Sequence, residues 1–440
     1  MYLTEIKATL GRVVAFAARD QILRSMTWLG AGEFIARATR VLTTIILAWL
    51  LTPLEFGYAA LALTSFEIVR AFATSGIGQM VVRVPDNELA GTAAAAQRAT
   101  WLVCGLLTAV QLLAGGVLAF WTNRSDMLPM VGCLAGVFLL MPFGVIHSWL
   151  VIRAGRMDTY ARVATLQLVV DNAMTAALAL AGFGAWAIVL PKLLTAPLWV
   201  IGMRRAAVWP LGQVAQPVPA ARLWQFAAPV LGSELMTAAR LHLDKMLVSS
   251  VLGIEALGIY YFAVNAGLGL SLSLTTALSS SVYPVFAALA HAPRDLLARF
   301  DRALWCNALP IGGLIAAQAL GALVYVPLIF GTQWAHAAPL VAMLCASALT
   351  KPASDCAAQL LRAAGMPERE FAGATAFTIS YMTTFALFLG SGLTSAIAAA
   401  SIVAFTGQVA LTLRAHRLVR SLSESERPHG STEASMAVQR

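Results

Sequence analysis

The chain has 440 residues, 59% hydrophobic and 12% charged, with a mean hydropathy of +0.76 and a formal net charge of +9. A soluble domain is about one quarter charged, so this composition excludes an ordinary soluble enzyme and indicates an integral membrane protein. The positive balance is not a nucleic-acid signal, because the excess sits in short loops rather than on one soluble face.

In chain order, residues 1–25 lack the compact apolar core and small-residue site of a cleavable signal, and they read as an amphipathic cytoplasmic segment lying on the membrane surface. Twelve apolar segments follow, at 26–50, 56–82, 99–121, 127–151, 163–182, 184–203, 224–251, 256–284, 303–330, 337–361, 371–389 and 391–413. About 20 residues cross a bilayer core, so each is long enough to span. The predicted class is therefore all-α integral membrane, with twelve transmembrane helices.

The basic residues give these spans an orientation. Of 30, 22 lie in the two terminal stretches and the even-numbered connections, seven lie within the spans, and Arg124 alone lies on the opposite side. The positive-inside rule places both termini in the cytoplasm. Residues 204–223 contain Pro210, Pro217 and Pro219 and read as a cytoplasmic linker. It divides an N-lobe, 26–203, from a C-lobe, 224–420; beyond it, 421–440 is rich in Ser, Glu, Pro and Gly and reads as a disordered tail.

The halves carry traces of a repeat. Leu51-Thr-Pro-Leu-Glu-Phe-Gly57 follows the first span and Leu252-Gly-Ile-Glu-Ala-Leu-Gly258 the seventh, 201 residues later, and the same offset sets Glu33 over Glu234. Six spans return a chain to its starting side, so the predicted lobes are related by a parallel pseudo-two-fold.

Charges within spans are the strongest functional signal. Glu33, Arg37 and Arg40 lie on span one, Glu67 and Arg70 on span two, and Glu234, Arg240, Asp244 and Lys245 on span seven. Spacings of three and four place Glu33 with Arg37, Glu67 with Arg70, and Arg240 with Asp244 on single helical faces. A charge at the bilayer centre costs at least about 2.5–3.5 kcal/mol, so such faces line a water-filled cleft or form structural ion pairs. Surplus guanidinium favours the cleft, since arginine grips phosphate or carboxylate oxygens through two parallel hydrogen bonds. Asp171, Lys192, Lys351 and Asp355 read as isolated packing or snorkelling charges.

Other motifs are weaker. His147 and His242 lie in spans without metal-ligand spacing and read as satisfied or solvated; no metal site is expected. Gly30-Ala-Gly32 and Gly76-Ile-Gly78 suit close helix packing. Trp121, Trp149, Trp186, Trp199 and Trp334 sit near span ends, where interfacial anchoring is the expectation. The five cysteines are predicted to be lipid- or core-facing without disulfides. The loops opposite the cytoplasm are too short for an extramembrane active site, which argues against a membrane glycosyltransferase or polymerase.

Five stretches carry a resemblance: LLTPLEFGYAAL (50–61), GFGAWAIV (182–189), LGIEALGIYYFA (252–263), FGTQWAHAAPLV (330–341) and LLRAAGMPE (360–368). In order and position they resemble the Wzx-type oligosaccharide and polysaccharide flippases of the multidrug/oligosaccharidyl-lipid/polysaccharide (MOP) exporter superfamily, over residues 25–415. The departure is Thr52, where the pattern usually has Gly. The resemblance implies two six-helix lobes around a central cavity and a non-enzymatic function. That function is to translocate undecaprenyl-pyrophosphate-linked repeat units across the bacterial inner membrane by alternating access, for O-antigen, capsule or exopolysaccharide export. It implies that Arg37, Arg40, Arg70, Arg240 and Lys245 hold the anionic head. Glu33, Glu67, Glu234 and Asp244 would balance charge or couple to a proton or sodium gradient. No cofactor is implied, and a polysaccharide polymerase with its export machinery is the implied partner, alongside membrane lipid. A cation-coupled efflux pump of the same superfamily is the alternative, and a glycosyltransferase or polymerase subunit the alternative of another class.

Overall fold

The computed structural model describes residues 35, 38–73, 77–209, 231, 238, 241–287, 289 and 293–425. Among these, all regular structure is helical. The chain forms two compact units, one to Tyr261 and one from Phe262.

In the first unit, α1 (Ala38–Leu50) leads through a two-residue break into α2 (Pro53–Ala73), followed by α3 (Ile77–Arg83) and α4 (Asp86–Thr122). Then come α5 (Met127–Leu140), α6 (Val145–Arg153), α7 (Met157–Leu180) and α8 (Trp186–Ala206), with α9 over 241–252. The helix α10 (Ile254–Ala287) begins in this unit and continues into the second. The second unit adds α11 (Pro293–Ala303), α12 (Leu309–Tyr325), α13 (Ala338–Ser347), α14 (Lys351–Ala363), α15 (Pro367–Leu389) and α16 (Leu393–Ser425). Among the described residues, seven helices are long and apolar enough to cross a membrane, or eight when α5 and α6, bent by 45°, count as one broken span. The predicted segments 256–284 and 337–361 fall on helices outside that set, while much of 26–50 and 224–251 lies outside the described residues. The last helix runs past the boundary expected at 420, to Ser425.

These helices turn apolar side chains outward. Phe120 is 90% exposed and Leu320 81%, burdens that a water-facing surface does not sustain but a hydrocarbon solvent does. Inside the first unit α2 packs on α4 and α5, and α7 on α8; inside the second α12 packs on α13 and α15 on α16.

The halves repeat at their turns. After α6, Gly155 has φ +69° and the Arg156 N–H donates to the Val151 carbonyl at 3.1 Å; after α14, Gly365 has φ +72° and the Met366 N–H donates to the Leu361 carbonyl at 2.9 Å. This six-to-one closure needs a left-handed residue, which glycine supplies without a Cβ penalty. Gly182 (φ +82°) and Gly392 (φ +115°) are a second pair of positive-φ glycines, after α7 and α15. Both pairs are 210 residues apart.

The first loop explains the departure at Thr52. The Thr52 N–H and Oγ1 donate to Glu55 Oε2 at 2.8 and 2.9 Å, and the Glu55 N–H donates to Thr52 Oγ1 at 3.3 Å, a capping box that opens α2. Its counterpart in the repeat, Gly253, adopts φ +87° instead. Two local solutions thus start equivalent helices.

Several tryptophans do more than anchor. Trp334 is fully buried and stacks on Phe262 at 4.0 Å, so the interfacial expectation fails there: the ring fills the interior of the second unit. Trp149 lies over Gly78 and Trp199 over Gly144, each where a Cβ would collide with the indole. The Gly76-Ile-Gly78 expectation of close packing holds at Gly78.

Arg153 fastens the end of α3. Its Nη1 donates to the carbonyls of Val81, Val82 and Val84 at 2.8, 3.2 and 2.6 Å, and its Nη2 to Asp86 Oδ1 at 2.7 Å. Terminal helix carbonyls have no partner within the helix, so one guanidinium satisfies several. Arg153→Leu is expected to lower stability by about 2 kcal/mol, read as an earlier thermal transition in detergent; an unchanged transition would count against this role.

Candidate functional site

The charged set predicted from the sequence divides in two. Glu33, Arg37, Glu234 and Arg240 lie outside the described residues. Arg40 is exposed on α1, while Glu67, Arg70, Asp244 and Lys245 are placed in detail.

On α2, Arg70 Nε donates to Glu67 Oε2 at 2.8 Å, and Nη2 reaches the same oxygen. The predicted three-residue spacing therefore closes into an ion pair. Both side chains stay open, Arg70 at 45% and Glu67 at 33% of full exposure. Because the pair engages one carboxylate oxygen only, the arginine keeps Nη1 for a further acceptor.

On α9, Asp244 sits deeper. Its Oδ1 accepts from the Lys245 N–H at 2.8 Å and from Lys245 Nζ at 3.3 Å, and its Oδ2 accepts from Tyr260 Oη of α10 at 2.7 Å. Lys245 Nζ also donates to the Leu241 carbonyl at 2.6 Å. These groups are largely withdrawn from solvent, with Lys245 at 11% and Asp244 at 13% exposure.

His242 joins the two sets. Its imidazole lies in the field of Lys245, Glu67, Asp244 and Arg70 together, and its buried Nδ1 has no hydrogen-bond partner. The sequence expectation of a satisfied or solvated histidine is corrected here. At 1.5 Å per residue, Glu67 and Arg70 lie roughly 21–26 Å along α2 from its start, and His242 about 15 Å from the same end of the unit along α9. Arg70 thus stands in the last turn of α2, far from the end at which α2 and α10 begin.

Other charges find partners that the sequence did not announce. Asp171 on α7 pairs with Lys192 on α8. Next to it, Asn172 Nδ2 donates to Thr39 Oγ1 at 3.1 Å, and Thr43 Oγ1 donates to the Asn172 carbonyl at 3.2 Å, forming a polar seam between α1 and α7. Lys351 Nζ reaches both oxygens of Asp355 at 2.9 and 3.0 Å, one turn apart on α14. All four had read as isolated. The Lys351 and Asp355 spacing of four was a readable signal, whereas the pairing across helices left none in the sequence. Among the described residues, no group of His, Cys, Asp or Glu could hold a metal ion.

Among the described residues, the all-helical frame with long apolar helices and ionic groups within them is that of a multi-pass membrane protein. Two solved structures share the frame. An inward-facing MATE family transporter of the MOP superfamily overlays with a TM-score of 0.69 at 13% identity, covering 89% of this chain and 96% of its own. The lipid II flippase MurJ, in an inward closed conformation, gives 0.69 at 10% identity, covering 90% and 92%.

The chain belongs to the polysaccharide biosynthesis protein family, which it matches over residues 46–339. The succinoglycan biosynthesis transport protein ExoT of Rhizobium meliloti (strain 1021) is 22% identical over 340 residues. That match covers 74% of this chain but 66% of the relative, just under two thirds of its length. The family match and the shared fold bear out the resemblance to Wzx-type flippases.

Proposed function

We propose that this protein flips an undecaprenyl-pyrophosphate-linked oligosaccharide from the cytoplasmic to the periplasmic leaflet of the bacterial inner membrane, serving polysaccharide export. The observation that carries the reading is the cluster of α2, α9 and α10. Arg70 offers a spare guanidinium edge, and with the buried Asp244–Lys245 pair it acts on His242, an arrangement that suits an anion that must leave water. A sugar head crossing bare hydrocarbon would leave its hydroxyls unpaired at several kcal/mol each, on the order of 4 or more in an alkane-like medium. A polar path removes that cost, and the isoprenoid tail stays in lipid.

In this reading twelve spans form two six-helix lobes, 26–203 and 224–420, joined by the 204–223 linker, with both termini in the cytoplasm. Arg37, Arg40, Arg70, Arg240 and Lys245 bind the head; Glu33, Glu67, Glu234 and Asp244 balance charge or couple to a proton or sodium gradient. Family membership and the ExoT match support a glycan cargo. The equal overlay on a MATE transporter sustains cation-coupled efflux as the second reading.

The test is extraction of lipid-linked oligosaccharides from a deletion strain, with mass spectrometry for completeness and periplasmic glycosidase access for leaflet. Complete units trapped facing the cytoplasm are expected. Incomplete units, or complete ones already facing the periplasm, would reassign the protein, and a changed drug-resistance profile without trapped glycan would favour efflux.

A further inference from the structure

At the loop end of the first unit, α2 and α10 cross backbone to backbone. A Cβ placed on Gly57 would lie 2.0 Å from the Ile254 carbonyl oxygen, and one placed on Gly258 would lie 1.8 Å from the Pro53 carbonyl oxygen. Pro53 and Ile254 are 201 residues apart, as are Gly57 and Gly258. The crossing is therefore reciprocal: each glycine rests on the first-turn carbonyl of the helix equivalent to its own. Both obstacles are backbone atoms, so no side-chain rotation would make room for a methyl group.

Around the crossing Leu51, Phe56, Leu61 and Leu257 are almost fully buried, so this end is sealed. Among the described residues α2 packs chiefly on α4, α5 and α8, and it meets α10 at the starts of the two helices. A crossing at helix starts can part by moving one end of α10 while α2 stays packed on α4, α5 and α8. Tyr260, two residues after Gly258, donates its hydroxyl to Asp244. Asp244 is on α9 and Tyr260 on α10, so this bond ties the charges to the α10 side of the crossing.

We infer that the Gly57–Gly258 crossing is a gate, closed in this structure, which must open for the ionic cluster to reach the face opposite the cytoplasm. Glycine is required at both positions because closure brings the backbones nearer than any Cβ allows. The inference rests on the transport reading, and Tyr260 links the gate to the charges below it.

The experiment places a reporter, Leu61→Cys, one turn deeper than Gly57, in a protein whose five native cysteines are replaced by alanine. A membrane-impermeant maleimide is applied from outside the cell. Gly57→Val and Gly258→Val oppose closure by steric overlap, so each is expected to raise labelling about tenfold and to abolish transport. Gly105→Ala and Gly313→Ala, where nothing lies within 4 Å of the added carbon, are expected to change neither. Normal transport by the valine variants, or unchanged labelling, would overturn the gate. Should those variants fail to insert, spin labels at Leu54→Cys and Glu255→Cys in otherwise glycine-intact protein decide. Two separations, redistributed by added undecaprenyl pyrophosphate, are expected; a single separation under all conditions refutes it. Gated labelling without trapped glycan in the deletion strain would remove the proposed cargo and leave the gate standing.

Discussion

Lys192→Met is expected to lower the stability of the protein by about 3 kcal/mol, because it strands the Asp171 carboxylate. Asp171 is 5% exposed, and its other oxygen, Oδ1, already lacks a hydrogen-bond partner. With the ammonium gone, the carboxylate must stay charged in a poorly polar setting or take up a proton, and either course costs free energy. The seam beside it would feel the change, since Asn172 ties α7 to Thr39 and Thr43 on α1. Thermal unfolding in nanodiscs measures the loss. The paired variant Asp171→Asn with Lys192→Met removes both charges and is expected to recover most of it. Equal damage from the single and double variants would mean that shape, rather than charge pairing, holds α7 to α8.

Arg70→Ala is expected to reduce transport roughly a hundredfold while leaving insertion and thermal stability nearly unchanged, since a charge-assisted hydrogen bond to a bound anion is worth about 1.5–3 kcal/mol. The two effects separate because the Arg70–Glu67 pair is open to solvent, and exposed ion pairs contribute only about 0–1 kcal/mol to folding. A purely structural pair would therefore show little in either measurement. Arg70→Lys keeps the charge but loses the planar fork, so partial recovery is expected. Transport of radiolabelled lipid-linked glycan into the outer leaflet of proteoliposomes supplies the rate. Full activity in Arg70→Ala would remove this residue from the binding path.

Much of the site could be anticipated along single helices. The spacing of Glu67 and Arg70 predicted their pairing because residues three apart on a helix share a face wherever the helix sits. The same rule covered Lys351 and Asp355, which had been read apart. Asp171 with Lys192, and Tyr260 with Asp244, obeyed no such rule, because each pair joins different helices. Trp334 shows the reverse failure: its position near a span end suggested an interface, and stacking on Phe262 buried it instead.

The sequence by itself determined the class of solvent, the order of apolar segments, the bias of basic residues to one set of connections and the presence of charges inside apolar segments. Each follows from composition and one-dimensional spacing, because a bilayer imposes its thickness and charge asymmetry on every helix separately. Only the tertiary structure decided which charges meet, that His242 lies in the field of both Glu67–Arg70 and Asp244–Lys245, and that Gly57 and Gly258 rest on the equivalent carbonyls of each other's helices. Those outcomes depend on how close two helices come and at what angle. That closeness is set by the absence of a Cβ at two positions 201 residues apart, a distance in sequence over which no local spacing rule operates.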